Sequence, residues 1–86
     1  LPDLYAQDVP RTFVVIGEAK TQADLVTPRS RRQLASFVRY LALYEAAFFY
    51  LAVPIIARPT AIKLMRELEA TYGAVGSHIL TIDTGY

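Results

Sequence analysis

Residues 12 to 21, Thr-Phe-Val-Val-Ile-Gly-Glu-Ala-Lys-Thr, constrain the fold of this chain more than any other stretch. A run that is apolar on both faces of an extended backbone suits a central strand covered on each side. It ends abruptly in an acid and a lysine two positions apart. Successive strand side chains face opposite ways, so Glu18 and Lys20 emerge together while Ala19 turns its side chain away. The Ala19 carbonyl is then free to act as an oxygen ligand. Upstream stands Pro2-Asp3, separated from the run by a short polar segment. If residues 2 to 7 form a strand and Asp8-Val9-Pro10-Arg11 is the bend, an antiparallel hairpin that pairs residue 8 with 13 also pairs Asp3 with Glu18. Directly opposed residues have alpha carbons roughly 4.5 to 5.5 Å apart and share a face. Carboxylates that close repel one another unless a cation sits between them. A hard ion such as magnesium, which prefers oxygen ligands, suits the pair. Lys20 would lie beside the ion, where its ammonium can stabilise an attacking hydroxide or the charge growing on a phosphate.

Beyond the hairpin, residues 22 to 27 read as a polar loop ending in Thr27-Pro28, an N-cap followed by proline at the first helical position. A helix begins there. On a helical wheel Leu34, Val38 and Leu41 gather on one side, while Arg29, Arg32, Ser36, Arg39 and Tyr40 occupy the other. From about Ala46 the spacing changes, and Phe48-Phe49-Tyr50-Leu51-Ala52-Val53 reads as a second buried strand running into Pro54. Pro59 or Thr60 opens another helix, with Ala61, Met65, Leu68 and Tyr72 inside and Lys63, Arg66, Glu67 and Glu69 largely outside. Gly73 and Gly76 close it. Residues 78 to 82 make a short final strand. The order strand, strand, helix, strand, helix, strand predicts one α/β domain with a mixed central sheet flanked by helices.

With these elements in place the chain resembles the PD-(D/E)XK superfamily, the restriction-endonuclease-like nucleases. Pro2-Asp3 matches the PD of that family, and Glu18-Ala19-Lys20 matches its (D/E)XK. The resemblance covers roughly residues 2 to 56, because the family also follows its acid-x-lysine strand with a helix and a buried strand. It implies a restriction-endonuclease-like core that hydrolyses DNA with magnesium (Mg2+), or manganese (Mn2+) in its place. Asp3 and Glu18 would be the metal ligands, the Ala19 carbonyl a third, and Lys20 the catalytic lysine. Gln33 and Phe37 resemble, imperfectly, a Gln-x-x-x-Tyr element of some nucleases in this group, with Phe lacking the hydroxyl. Gln33 lies beside Tyr40 and Arg29 on the wheel and could reach a phosphate or a metal-bound water. One departure stands out. The family core begins with a helix and a strand ahead of the PD strand, and neither is present here. A sheet that starts at the Asp3 strand has an exposed edge, so the expectation is missing sequence, a homodimer or another chain covering that strand.

Other features narrow the reading. Nine basic against eight acidic residues leave a net charge of +1, so affinity for DNA, or for RNA, must come from local clustering. Arg29, Arg31, Arg32 and Arg39 are either the wet face of an amphipathic helix or phosphate contacts near a helix N-terminus that attracts anions. The absence of cysteine excludes thiolate metal sites and disulfides and fits a cytoplasmic protein. Residues 41 to 57 are long and apolar, but Glu45 and Pro54 interrupt them and they split into a helix end and a strand, so no membrane span is expected. Glu45 is assigned no role, and His78, the sole histidine, reads as structural. The six tyrosines could stack on bases, although several fall at core-like positions where packing is the default. Two rival readings stay open. One is a nuclease-fold module that binds nucleic acid or protein without cutting, and the other is a small structural subunit whose acid pair is coincidental.

Overall fold

The computed structural model describes residues 2–8 and 13–82. The chain runs through β1 (Leu4–Gln7), β2 (Phe13–Ala19), a single turn α1 (Gln22–Leu25), α2 (Pro28–Leu41), β3 (Ala46–Pro54), α3 (Arg58–Tyr72) and β4 (Gly76–Ile82). The strands form one mixed sheet in the order β1-β2-β3-β4, antiparallel between β1 and β2 and parallel thereafter. The α/β class expected from the sequence, a mixed sheet with helical cover, is the architecture the chain adopts. Within the predicted bend, residues 9–11 lie outside the described residues, as does Thr12. Asp8 brackets that segment: its N–H donates to the Phe13 carbonyl at 3.1 Å and its carboxylate accepts from the Phe13 N–H at 3.0 Å.

The connection from β2 to α2 is more ordered than the expected polar loop. The Thr21 hydroxyl accepts from the Asp24 N–H at 3.1 Å, and the Asp24 carboxylate accepts from the Thr21 N–H at 3.2 Å. This reciprocal cap satisfies two donors that a helix start would otherwise leave open, so Gln22–Leu25 coils into α1. Thr27 then serves two helices at once. Its hydroxyl donates to the Asp24 carbonyl at 2.8 Å and accepts from the Ser30 N–H at 3.1 Å, with Pro28 at the first turn of α2 as predicted.

Leu34, Val38 and Leu41 of α2 are buried as the wheel requires, joined by Phe37, against Val14 and Ile16 of β2 and Phe49, Leu51 and Val53 of β3. Ala61, Leu64, Met65 and Leu68 of α3 complete this core. Tyr72, expected inside, is 41% exposed, and the Arg39 guanidinium lies over its ring at 5.6 Å. The helix starts at Arg58 rather than at Pro59 or Thr60, because a 3-10 turn at Ile55–Ala57 feeds directly into it. Gly73, at φ 125°, ends it in a conformation that side chains rarely adopt. Gly76 belongs instead to the start of β4.

Both parallel crossovers, β2-α2-β3 and β3-α3-β4, step across the sheet in the same direction. Crossovers of one hand that step one way put their helices on one face. The expectation that β2 is covered on each side is therefore corrected: Val14, Ile16 and Glu18 face the helices, whereas Phe13 on the opposite face is exposed and Val15 half-buried. That second face also carries Leu4, Phe48, Tyr50, Leu80 and Ile82. His78 stacks there on Tyr50 at 5.0 Å and on Phe48 at 6.4 Å, in keeping with a packing role. No helix among the described residues is long and apolar enough to cross a membrane. Glu45 is exposed in the turn before β3.

The double duty of Thr27 is measurable. Thr27→Ala should lower the stability by about 1 kcal/mol, shifting the urea midpoint without changing the slope, while Thr27→Ser should retain most of it.

Candidate active site

The register of β1 on β2 builds the site. Leu4 pairs with Gly17 and Gln7 with Val14, and the next residue pair outward is Asp3 with Glu18. The predicted alignment is the one observed. Asp3 is exposed and its Oδ2 accepts from the Ala19 N–H at 2.9 Å, whereas Glu18 is only 7% exposed. The two carboxyls titrate apart for different reasons. Burial holds the Glu18 carboxyl above its ordinary value, and neighbouring Asp3 pushes it further. The Ala19 N–H holds Asp3 below the usual carboxylate range, helped by hydrogen bonding with the Glu18 side chain and by the Lys20 charge. In a pair so arranged Asp3 gives up its proton before Glu18 does. The buried Glu18 Oε2 has no hydrogen-bond partner among the described residues.

Lys20 lies one residue past the end of β2, on the same side as Glu18. Its N–H donates to the Ala52 carbonyl at 3.0 Å, which extends the parallel ladder, and Thr21 immediately caps α1. The backbone around the lysine is thus held from both sides. Its Nζ donates to Gln33 Oε1 and lies 3.9 Å from Glu18 Oε1, with most of the side chain buried. Gln33, expected near a phosphate or a water, therefore holds the ammonium in place. The lysine, Gln33 and Arg29 also line a polar cleft of about 380 Å³ with Asp24, Thr27 and Ser30, at the first turn of α2.

The donor set suits a hard divalent cation. It offers two carboxylates, one with a buried unpartnered oxygen, and the Ala19 carbonyl. In an extended residue N–H and C=O leave on the same side, so this carbonyl points toward β1 like the N–H that bonds Asp3. All three donors are oxygens, as magnesium prefers. Among the described residues no group of three His, Cys, Asp or Glu side chains converges on a common point, so the backbone oxygen would be the third protein ligand.

Of the other predicted residues, Arg29 and Gln33 join the cleft, and the remaining ones disperse. Arg31 pairs with Glu67 at 3.2 Å, Arg32 is exposed to solvent, and Arg39 is turned toward Tyr72 at the far end of α2. Tyr40 is half-buried rather than on the wet face. Its hydroxyl meets those of Tyr5 at 2.6 Å and Tyr44 at 2.8 Å. Tyr5, Ile16, Phe37 and Tyr40 line an apolar groove with Pro2 beside the carboxylates; the sequence draws attention to Pro2, Phe37 and Tyr40 for other reasons and does not point to a groove. The signal was available in the strand parity, since Tyr5 must share a face with Asp3, and Ile16 with Glu18.

The raised Glu18 carboxyl sets the sign of a stability test. A carboxyl held above its unfolded value contributes stability while protonated and loses that contribution as pH rises through its folded value. Glu18→Gln should therefore raise the melting temperature at about pH 7, with the gain fading toward about pH 4. Magnesium should raise the melting temperature of the unmodified chain and leave that of the variant unchanged. No family model, curated protein or solved structure matches this chain, so its function rests on this geometry.

Proposed function

We propose that this chain is a magnesium-dependent endonuclease-like domain that hydrolyses DNA phosphodiester bonds, with manganese able to replace magnesium. The observation that carries the reading is the register that sets Asp3 opposite Glu18 with Lys20 on the same face. Asp3, Glu18 and the Ala19 carbonyl would hold the ion. Bound there, it would polarise the phosphate and make a coordinated water more acidic. The chain supplies the rest. Lys20 presents a fixed ammonium where negative charge grows on the nucleophile and the phosphate. Gln33 orients that ammonium by accepting a hydrogen bond from it. Arg29 and the first turn of α2 offer positive potential to the flanking phosphate in the polar cleft. Burial of Glu18 keeps water scarce around its own carboxylate, which strengthens the interactions of that group with the ion and with Lys20.

RNA carries the same phosphodiester and stays within this reading. A cytoplasmic location is part of it, as is a homodimer or another chain pairing along the outer edge of β1. A second reading, a module that binds without cutting, gains support from the Lys20 ammonium already engaged by Gln33 and Glu18. The two separate by calorimetry, because a binding-only module has no need of a magnesium site.

Purified chain should nick supercoiled plasmid in magnesium and stop when the ion is chelated. Lys20→Ala and Glu18→Ala should each reduce nicking by about 100-fold or more, with the circular dichroism spectrum unchanged. Equal nicking by the variants would remove the assignment.

A further inference from the structure

We propose that the apolar groove beside Asp3 and Glu18 is a subsite for one unpaired nucleobase, so that the substrate is a single strand or a frayed or extruded base. This rests on the phosphodiesterase reading above. Each element that delivers a site residue delivers a groove residue one repeat farther along. On β1 Tyr5 follows Asp3, on β2 Ile16 precedes Glu18, and on α2 Phe37 follows Gln33 by four positions. Two strand residues span about 6.6 Å, so the groove begins one short step from the carboxylates, as a base stands one sugar away from its own phosphate.

The chemistry of the lining selects a flat apolar ligand. The groove measures about 540 Å³, within the range of pockets that seat small organic molecules. None of the described residues that line it is charged, so phosphate is not its ligand; phosphate belongs to the cleft of Lys20 and Arg29 on the other flank. The tyrosine hydroxyls satisfy one another and Gln7: Tyr5 donates to Gln7 Oε1 at 2.8 Å, Tyr5 and Tyr40 touch at 2.6 Å, and Tyr40 and Tyr44 at 2.8 Å. With their polar ends tied together, the rings of Tyr5 and Tyr40 stand 6.1 Å apart and 48° from parallel. What they leave toward the groove is ring surface, and Tyr5 is 43% exposed. Bases stack on such surfaces whatever their identity. A base inside a duplex has both faces covered by its neighbours and cannot enter. A nucleic-acid strand would thus run from the aromatic groove, across the carboxylates, to the cationic cleft.

The test is binding in the absence of divalent ions, read by anisotropy of a short labelled oligodeoxynucleotide, as a single strand, as a blunt duplex and as a single strand of abasic sites. The single strand should bind about tenfold or more tighter than the duplex and the abasic strand, the scale of one base on one aromatic ring. Tyr5→Ala should lose about tenfold on the single strand with little change on the duplex, and Tyr5→Phe should keep the affinity. Equal affinity for abasic and normal strands, preference for the duplex, or undiminished single-strand binding by Tyr5→Ala would overturn the subsite. Should Tyr5→Ala fail to fold, the abasic comparison on the unmodified chain decides alone. Failure of the nuclease reading shows separately, as an absence of magnesium-dependent nicking by a chain that still prefers single strands.

Discussion

Placing the buried Glu18 against Asp3 is the constraint on which the rest of the site depends. A carboxylate removed from water next to another carboxylate is a cost that no close-packed core would incur without compensation. The structure arranges partial relief from every direction. The Ala19 N–H takes up the charge of Asp3, and the Lys20 ammonium sits near the opposite oxygen of Glu18. One oxygen of Glu18 nevertheless stays without a hydrogen-bond partner among the described residues. Sites that act on charged ligands are commonly built this way, with local stability given up for a preorganised field.

The same topology that aligns the acids also places their neighbours. Glu18 and Lys20 stand at the carboxyl end of β2, beside the parallel strand β3, where open α/β sheets form their ligand crevices. The chain must leave this end, cross over and return, so the first turn of α2 arrives at the crevice by necessity. Its Thr27 cap fixes the helix axis, and that axis aims Gln33 at the lysine and Phe37 at the core. One local cap thereby orients a site whose residues are far apart in sequence.

Much of this was legible from residues alone, for reasons of scale. The hairpin register followed from parity and the position of the bend, and the start of α2 from the chemistry of Thr27 and Pro28, both of which act over a few residues. The turn at Gln22–Leu25 was missed although its cap is also local: Thr21 and Asp24 carry the spacing of a capping box with aspartate in place of glutamate. The uncovered face of β2 could not be read, because β-branched residues on both sides of a strand look alike whether or not a helix lies over them. Val15 and Val14 are identical in sequence terms and differ only in which side the crossovers choose. The contact of Tyr5 with Tyr40 joins residues 35 positions apart and exists only once the sheet and α2 are assembled. Tyr40 falls on the polar side of the helical wheel because the wheel carries no information about the edge strand beside it.

β1 is four residues long, lies at the margin of the sheet and, among the described residues, pairs with β2 alone. Short marginal strands unzip at a small fraction of the free energy needed to unfold a domain. Each such excursion carries Asp3 away and leaves Glu18 and Lys20 behind on their firmly held strand. The acid pair is therefore complete only while the margin is closed. Whatever bridges its two halves acts as a latch, trading binding energy for closure, so occupancy of the site and rigidity of the sheet margin rise and fall together.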